Sequence, residues 1–226
     1  MVKVLIDGVE VEVEPNSTIL EAAEKAGLKI PTLCYFPGLF VEATCRVCVV
    51  ELSGTGRLVP SCVFPVSDRL SVETDNVRVR EARRIALEAI LATHRIACQS
   101  CPRKGACKLL ELCREYGVEG IPVCAECLLY GGDCLLTREE ACLGPITNAG
   151  CDGVCLREGK PCVGCRGPIV SRDTVREAVK LYVGYGVSLD MVLSRFSVYN
   201  SSQPDYCRIV KLLSNLAEEE RHNQGV

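Results

Sequence analysis

The 226-residue chain has no tryptophan, only two histidines and 5% aromatic residues. It also has no apolar run near the ~18 residues of a membrane span, so no span is expected. The N-terminus, MVKVLIDGVEVEVEP, meets acids at Asp7 and Glu10 before any apolar segment forms, which argues against a secretory signal. Cationic excess is missing as well: 26 Lys+Arg against 29 Asp+Glu gives a net charge of −3, which is no nucleic-acid footprint. There is no nucleophile–base pair, no Gly-rich dinucleotide fingerprint and no flavin motif. Bond chemistry is therefore not expected of this chain.

Cysteine is abundant, with 17 residues. A cysteine-rich chain without a signal is expected in the reducing cytoplasm, where metal thiolates are favoured over disulfides, and the odd count also suits a disulfide framework poorly. The densest stretch is CAECLLYGGDCLLTREEACLGPITNAGCDGVCLREGKPCVGC, carrying Cys124, Cys127, Cys134, Cys142, Cys151, Cys155, Cys162 and Cys165. Eight thiolates are the ligand count of two four-cysteine sites. Each end has a C-x2-C pair, which lets one tight turn aim two sulfurs at one centre. Interspersed glycines allow the backbone to bend and bring N–H groups toward an anion. Such loops are expected to lack an apolar core of their own and to need metal for order.

Residues 1–78 read as a small β-rich domain. Val2–Ile6 and Val9–Val13 flank the hairpin signal Asp7-Gly8, and Thr18-Ile19-Leu20-Glu21 is a capping box opening a helix that Gly27 stops. Strands follow at 48–52 and 70–73. Strand, hairpin, helix and further strands suggest a β-grasp sheet. Cys34, Cys45, Cys48 and Cys62 lie in it as C-x10-C-x2-C-x13-C. Residues 79–93 predict an amphipathic helix with Ala82, Ile85, Ala86, Ile90 and Leu91 on its apolar stripe and Arg80, Arg83 and Arg84 on a solvated basic face. His94, Cys98, Cys101 and Cys107 follow as H-x3-C-x2-C-x5-C. Cys113 and Cys207 have no ligand spacing and are expected to pack structurally. Helices are predicted from Ser171 to about Tyr182, from Ser188 to Arg195 and from Tyr206 to Glu219, with a frayed end, EEERHNQGV.

The string LCYFPGLFVEATCRVCVVELSGTGRLVPSCVFPVSDRLSVET resembles the N-terminal ferredoxin domain of the large iron–sulfur subunit of complex I and, more closely, the diaphorase small subunit of NAD-reducing bidirectional hydrogenases. That resemblance implies a [2Fe–2S] cluster on Cys34, Cys45, Cys48 and Cys62. One departure is Ala43-Thr44, where complex I relatives often have glycine. THRIACQSCPRKGACKLLELCREYG resembles the same family's [4Fe–4S] motif, which implies a cluster on His94, Cys98, Cys101 and Cys107. CLGPITNAGCDGVCLREGKPCVGCRGP resembles the C-terminal region of cytosolic [NiFe] hydrogenase small subunits, which implies two [4Fe–4S] clusters on the eight cysteines from Cys124 to Cys165. The partition of Cys134 and Cys142 between them stays open. So do a zinc site on Cys34, Cys45, Cys48 and Cys62 and two zinc ribbons in the stretch from Cys124 to Cys165.

The expected fold is α+β: a β-grasp ferredoxin-like domain (1–78), a helix plus His/Cys3 cluster domain (79–120), a two-cluster region (121–168) and C-terminal helices (169–226). The resemblance implies a non-catalytic electron-transfer subunit of an NAD(P)-linked hydrogenase complex. Its partners would be an FMN/NAD(P)-binding flavoprotein and a short [NiFe] hydrogenase small subunit with its large subunit. A formate dehydrogenase or complex I-like assembly is the alternative within that class, and a zinc-stabilised interaction scaffold the alternative outside it.

Overall fold

The computed structural model describes residues 1–99, 101–129 and 131–223. They divide into two compact units: Met1–Thr93 with Glu111–Val118, and His94–Leu110 with Glu119 onward.

In the first unit, β1 (Val2–Ile6) and β2 (Val9–Val13) pair antiparallel. Asp7 and Gly8 between them both have positive φ, 49° and 82°, the conformation that an Asp-Gly hairpin turn favours. α1 (Ile19–Lys25) opens on the expected capping box: the Glu21 N–H donates to Thr18 Oγ1 at 3.2 Å and the Thr18 N–H to Glu21 Oε2 at 2.7 Å. β3 (Tyr35–Phe36) and β4 (Phe40–Val41) make a separate small hairpin. β5 (Val49–Leu52), β6 (Arg57–Pro60) and β7 (Leu70–Glu73) complete a mixed sheet of order β2-β1-β7-β5-β6, in which β1 and β7 are parallel. Alternate residues Val4, Ile6, Val50, Val59 and Val72 bury one face against Ile19, Leu20, Ala22 and Ala23 of α1. The Asp7 carboxylate accepts from the Thr74 N–H at 2.7 Å and from the Thr74 hydroxyl, tying the hairpin to the end of β7.

α2 (Val77–Thr93) starts where the Val79 N–H donates to Asn76 Oδ1 at 2.9 Å. Its buried face differs from the expected one. Ile85 is 54% exposed, whereas Arg83 is 2% exposed and lies between Val79 and Leu87. The Arg83 guanidinium donates to the carbonyls of Val49 and Thr74, both at 2.8 Å, and to the Tyr116 hydroxyl at 2.9 Å. Three acceptors offset the desolvation of the charge, and the helix turns to bring them together. Counting apolar residues could not show this, because the acceptors come from β5, the end of β7 and a segment 33 residues away.

α3 (Lys108–Glu115) buries Cys113, as expected of a packing thiol. In the second unit, short 3-10 turns at Val123–Ala125, Leu135–Arg138 and Gly144–Ile146 space the cysteines. α4 (Val154–Arg157), α5 (Arg172–Gly184), α6 (Leu189–Asn200) and α7 (Tyr206–Asn223) follow. The cysteine loops are not coreless: Leu135, Leu136, Leu143, Ile146 and Leu156 pack with Val175, Val179, Tyr182, Phe196, Ile209 and Leu213. Loop and helices share one apolar core, so this order does not rest on metal alone. Ser171 and Ser188 occupy N-caps without side-chain cap bonds. α6 and α7 run past the expected Arg195 and Glu219, and α7 takes in most of the tail expected to fray; its last residues, 224–226, lie outside the described part. Cys207 is exposed on α7 and packs no core. Among the described residues, no helix is long and apolar enough to cross a membrane.

Substituting Arg83→Met should leave the Val49 and Thr74 carbonyls without their donor. We expect a loss of about 3 kcal/mol, read as faster hydrogen exchange in β5 and α2. Unchanged protection would mean that the buried guanidinium contributes nothing net.

Candidate metal centre

The pairing of β5 with β6 places Val49 opposite Pro60. Cys48 just before β5 and Cys62 just after β6 therefore reach the same end of the hairpin, with sulfurs 3.3 Å apart. The C-x13-C spacing is the length of that hairpin. Cys34, before β3, and Cys45, between β4 and β5, bring their sulfurs to 3.2 Å. Burial, followed by Cys48, Cys34 and Cys45, pushes the Cys62 thiol up to about 12, so all four sulfurs act on one place. At Cys34 burial raises the thiol, but N–H donors at Cys45 and Thr44 bring it below its ordinary value. The turns that aim these donors have Ala43 (φ 53°) and Arg46 (φ 57°) in the left-handed region on either side of Cys45. Ala43 holds, at some strain, a conformation that glycine adopts freely. Four converging thiols beside inward N–H groups suit an anionic, sulfur-ligated metal core.

In the second set, burial and then Cys107 and Cys101 raise the Cys98 thiol to about 11, so these three are grouped. The Leu110 N–H donates to Cys107 Sγ at 3.4 Å. His94 is exposed, directly after α2 in sequence.

The long cysteine stretch separates in space. Cys124, Cys127, Cys134 and Cys142 line one small cavity, together with Gln99 and apolar Leu135, Leu136 and Leu156. Burial pushes the Cys142 thiol up to about 12, and raises Cys124 well above its ordinary value with Cys142 and Cys127 adding to the effect. Gly144 fits between the sulfurs of Cys124 and Cys142; a Cβ there would stand 3.4 and 3.5 Å from them. Burial also raises the Cys162 thiol, and Cys151 and Cys165 act on it further. Cys155 and Cys165 are exposed. The donor chemistry again fits a thiolate-bound core. Among the described residues, no three His, Cys, Asp or Glu side chains converge at single-ion distance.

Backbone ladders hold the two groups side by side. Thr147 to Ala149 runs between 121–123 and 167–169: the Val123 N–H donates to the Thr147 carbonyl, the Ala149 N–H to Ile121 and the Asn148 N–H to Gly167. Glu126, inside the first C-x2-C, is 7% exposed and accepts from the N–H groups of Gly150 at 2.7 Å and Cys151 at 3.1 Å. The Cys162 N–H donates to Cys142 Sγ at 3.3 Å. Behind them Tyr182, fully buried, donates its hydroxyl to the Cys142 carbonyl at 2.9 Å. Sequence reasoning missed Gln99, which lines the cavity, and Lys104, Glu126 and Tyr182, which hydrogen-bond to Gln99 or to backbone beside the cysteines. Only Glu126, enclosed by a C-x2-C pair, carried a local signal.

Comparisons with known proteins cover the N-terminal half. Residues 1–77 match the family described as "2Fe-2S iron-sulfur cluster binding domain", and residues 83–122 match "NADH-ubiquinone oxidoreductase-G iron-sulfur binding region". That half therefore carries a 2Fe-2S domain followed by a 4Fe-4S binding region.

Among individual proteins, NADP-reducing hydrogenase subunit HndD of Solidesulfovibrio fructosivorans is 42% identical over 127 residues, 54% of this chain and 22% of that protein. The NADH-ubiquinone oxidoreductase 75 kDa subunit of Reclinomonas americana is 38% identical over 117 residues, 52% of this chain and 17% of that one. The chain thus spans about a sixth to a fifth of the length of these curated relatives. A crystal structure of NAD+-reducing [NiFe]-hydrogenase in the H2-reduced state superposes with a TM-score of 0.48 at 34% identity, over 51% of this chain and 49% of that one.

Two substitutions test the loops. Gly164 (φ 83°) sits between Cys162 and Cys165, and an added Cβ would meet buried Asn200 Nδ2 at 2.6 Å. Gly164→Ala should cost about 2–3 kcal/mol and loosen metal retention by the C-terminal cysteines. Ala43→Gly should do the reverse, because relief of about 1 kcal/mol of left-handed strain outweighs the added chain entropy. Chelator-competition half-lives would show both, and equal half-lives for all three proteins would contradict the strain assignment.

Proposed function

We propose that the chain is an iron–sulfur electron-transfer subunit, without bond-making catalysis of its own, of an NAD(P)-linked oxidoreductase complex of hydrogenase type. The [2Fe–2S] cluster is held by Cys34, Cys45, Cys48 and Cys62 on a β-grasp domain spanning residues 1–78. One [4Fe–4S] cluster is held by His94, Cys98, Cys101 and Cys107 within 79–120. A second is held by Cys124, Cys127, Cys134 and Cys142, and a third by Cys151, Cys155, Cys162 and Cys165, within 121–168. Helices of 169–226 back these last two. The observation that carries the proposal is that Cys34, Cys45, Cys48 and Cys62 come together at one end of the β5–β6 hairpin, while Cys124, Cys127, Cys134 and Cys142 line one cavity. The family matches over residues 1–122 support the first two.

Bound clusters supply one-electron transfer. The chain's own residues do the rest. Thiols bind iron, the N–H groups around Cys45 and Cys162 are placed to offset negative charge, and Leu135, Leu136 and Leu156 exclude water from the most buried set. The exposure of Cys155 and Cys165 supports a surface handover at the last set.

The names of the relatives favour two settings, a hydrogenase and a complex I-like enzyme. The motifs between Cys124 and Pro168 resemble hydrogenase small subunits and favour the first. The partners are then an FMN/NAD(P)-binding flavoprotein at the [2Fe–2S] end and a short [NiFe] hydrogenase small subunit, with its large subunit, at the Cys124–Pro168 end. Anaerobically purified protein should hold roughly fourteen irons with acid-labile sulfide, two plus three fours. Colourless protein with stoichiometric zinc would replace this reading with a zinc-stabilised scaffold. In the native complex, crosslinks from Cys124–Pro168 to the flavoprotein would reverse the assigned orientation.

A further inference from the structure

Gln99 follows Cys98 directly in sequence, yet its side chain lines the cavity of Cys124, Cys127, Cys134 and Cys142. It is 9% exposed. Its Oε1 accepts from Lys104 Nζ at 3.1 Å. An ammonium only donates, so this bond fixes which amide atom faces it and turns the NH2 group the other way. That Nε2 is buried and has no hydrogen-bond partner. An unpartnered buried donor is costly, and the side-chain acceptors on the wall it shares are sulfurs. Lys104 itself lies between Cys101 and Cys107 in sequence. Its backbone N–H donates to the Cys101 carbonyl at 3.1 Å, while its ammonium holds the amide that lines the cavity of Cys124 and Cys127, so one residue touches the surroundings of both groups.

We propose that Gln99 and Lys104 form a polar bridge between the Cys98–Cys101–Cys107 site and the Cys124–Cys127–Cys134–Cys142 site. This rests on the iron–sulfur reading above. Gln99 donates an N–H to sulfur in the Cys124 site. Lys104 anchors the amide and sets one positive charge within reach of both sites. A shared cation and an N–H donor each stabilise added negative charge, so both act to raise reduction potential. One residue pair thereby couples the potentials of two neighbouring sites. Gln99 and Lys104 are positioning and tuning residues, and neither is a ligand.

Redox titration followed by electron paramagnetic resonance on the full chain tests this, with iron content as the loading control. Cys98→Ser and Cys124→Ser assign the signals to the two sites. Lys104→Met should lower both potentials, each by at least the ~59 mV that equals a tenfold change in a one-electron equilibrium constant. Lys104→Arg should restore them. Gln99→Leu, similar in size but without the N–H, should lower chiefly the Cys124 site. Fully loaded variants with unchanged potentials, or a Lys104→Met shift confined to the Cys98 site, would overturn the bridge and leave the iron–sulfur reading intact. Wild-type protein with no iron–sulfur signal would overturn both.

Discussion

Sulfurs held 3.2–3.3 Å apart do not stay together by their own attraction. Once ionised, two of them repel by about 5 kcal/mol at an effective dielectric near 20. Something else must hold them, and in the first unit it is the sheet. The β5–β6 register carries Cys48 and Cys62 to one end of a hairpin, and the left-handed residues Ala43 and Arg46 turn N–H donors toward Cys34 and Cys45. The sheet in turn depends on its ties: Asp7 to Thr74, and Arg83 to the ends of β5 and β7. A cation buried among carbonyls and a carboxylate bound to a backbone N–H are directional bonds. They define the register more sharply than apolar packing alone does.

The second unit meets the same constraint without a sheet. Its loops are pinned from two directions. Along the chain, the short ladder of 121–123, 147–149 and 167–169 closes the cysteine loops on each other. From behind, α5, α6 and α7 supply the apolar surface that Leu135, Leu143 and Ile146 bury. Glu126 and Cys162 then fasten one cysteine group to the other through backbone N–H bonds. Groups fastened in this way cannot move apart independently.

Much of this was legible in the residues. The Asp-Gly turn, the capping box at Thr18 and the strands at 2–6, 9–13 and 70–73 follow from local rules and appear where those rules place them, as do the starts, though not the ends, of the C-terminal helices. Ligand candidates announce themselves by spacing, because a C-x2-C turn is a local object. The short strands β3, β4 and β6 were not legible: β3 and β4 have two residues each, and β6 ends on Pro60, a poor strand signal. Nor was the true face of α2: there an arginine replaced an isoleucine inside, for reasons that lie on other elements.

By itself, then, the sequence determined the cysteine spacings, the donor chemistry and the α+β order of the elements, since each depends on residues close together along the chain. Only the tertiary structure decided that Cys124, Cys127, Cys134 and Cys142 line one cavity, that Gln99 lines it with them, and that Glu126 accepts from the N–H groups of Gly150 and Cys151. It also decided that the C-terminal helices are the other half of the site's core. These outcomes depend on contacts between residues far apart in sequence, where backbone hydrogen bonds and close packing select one arrangement among several that spacing alone allows.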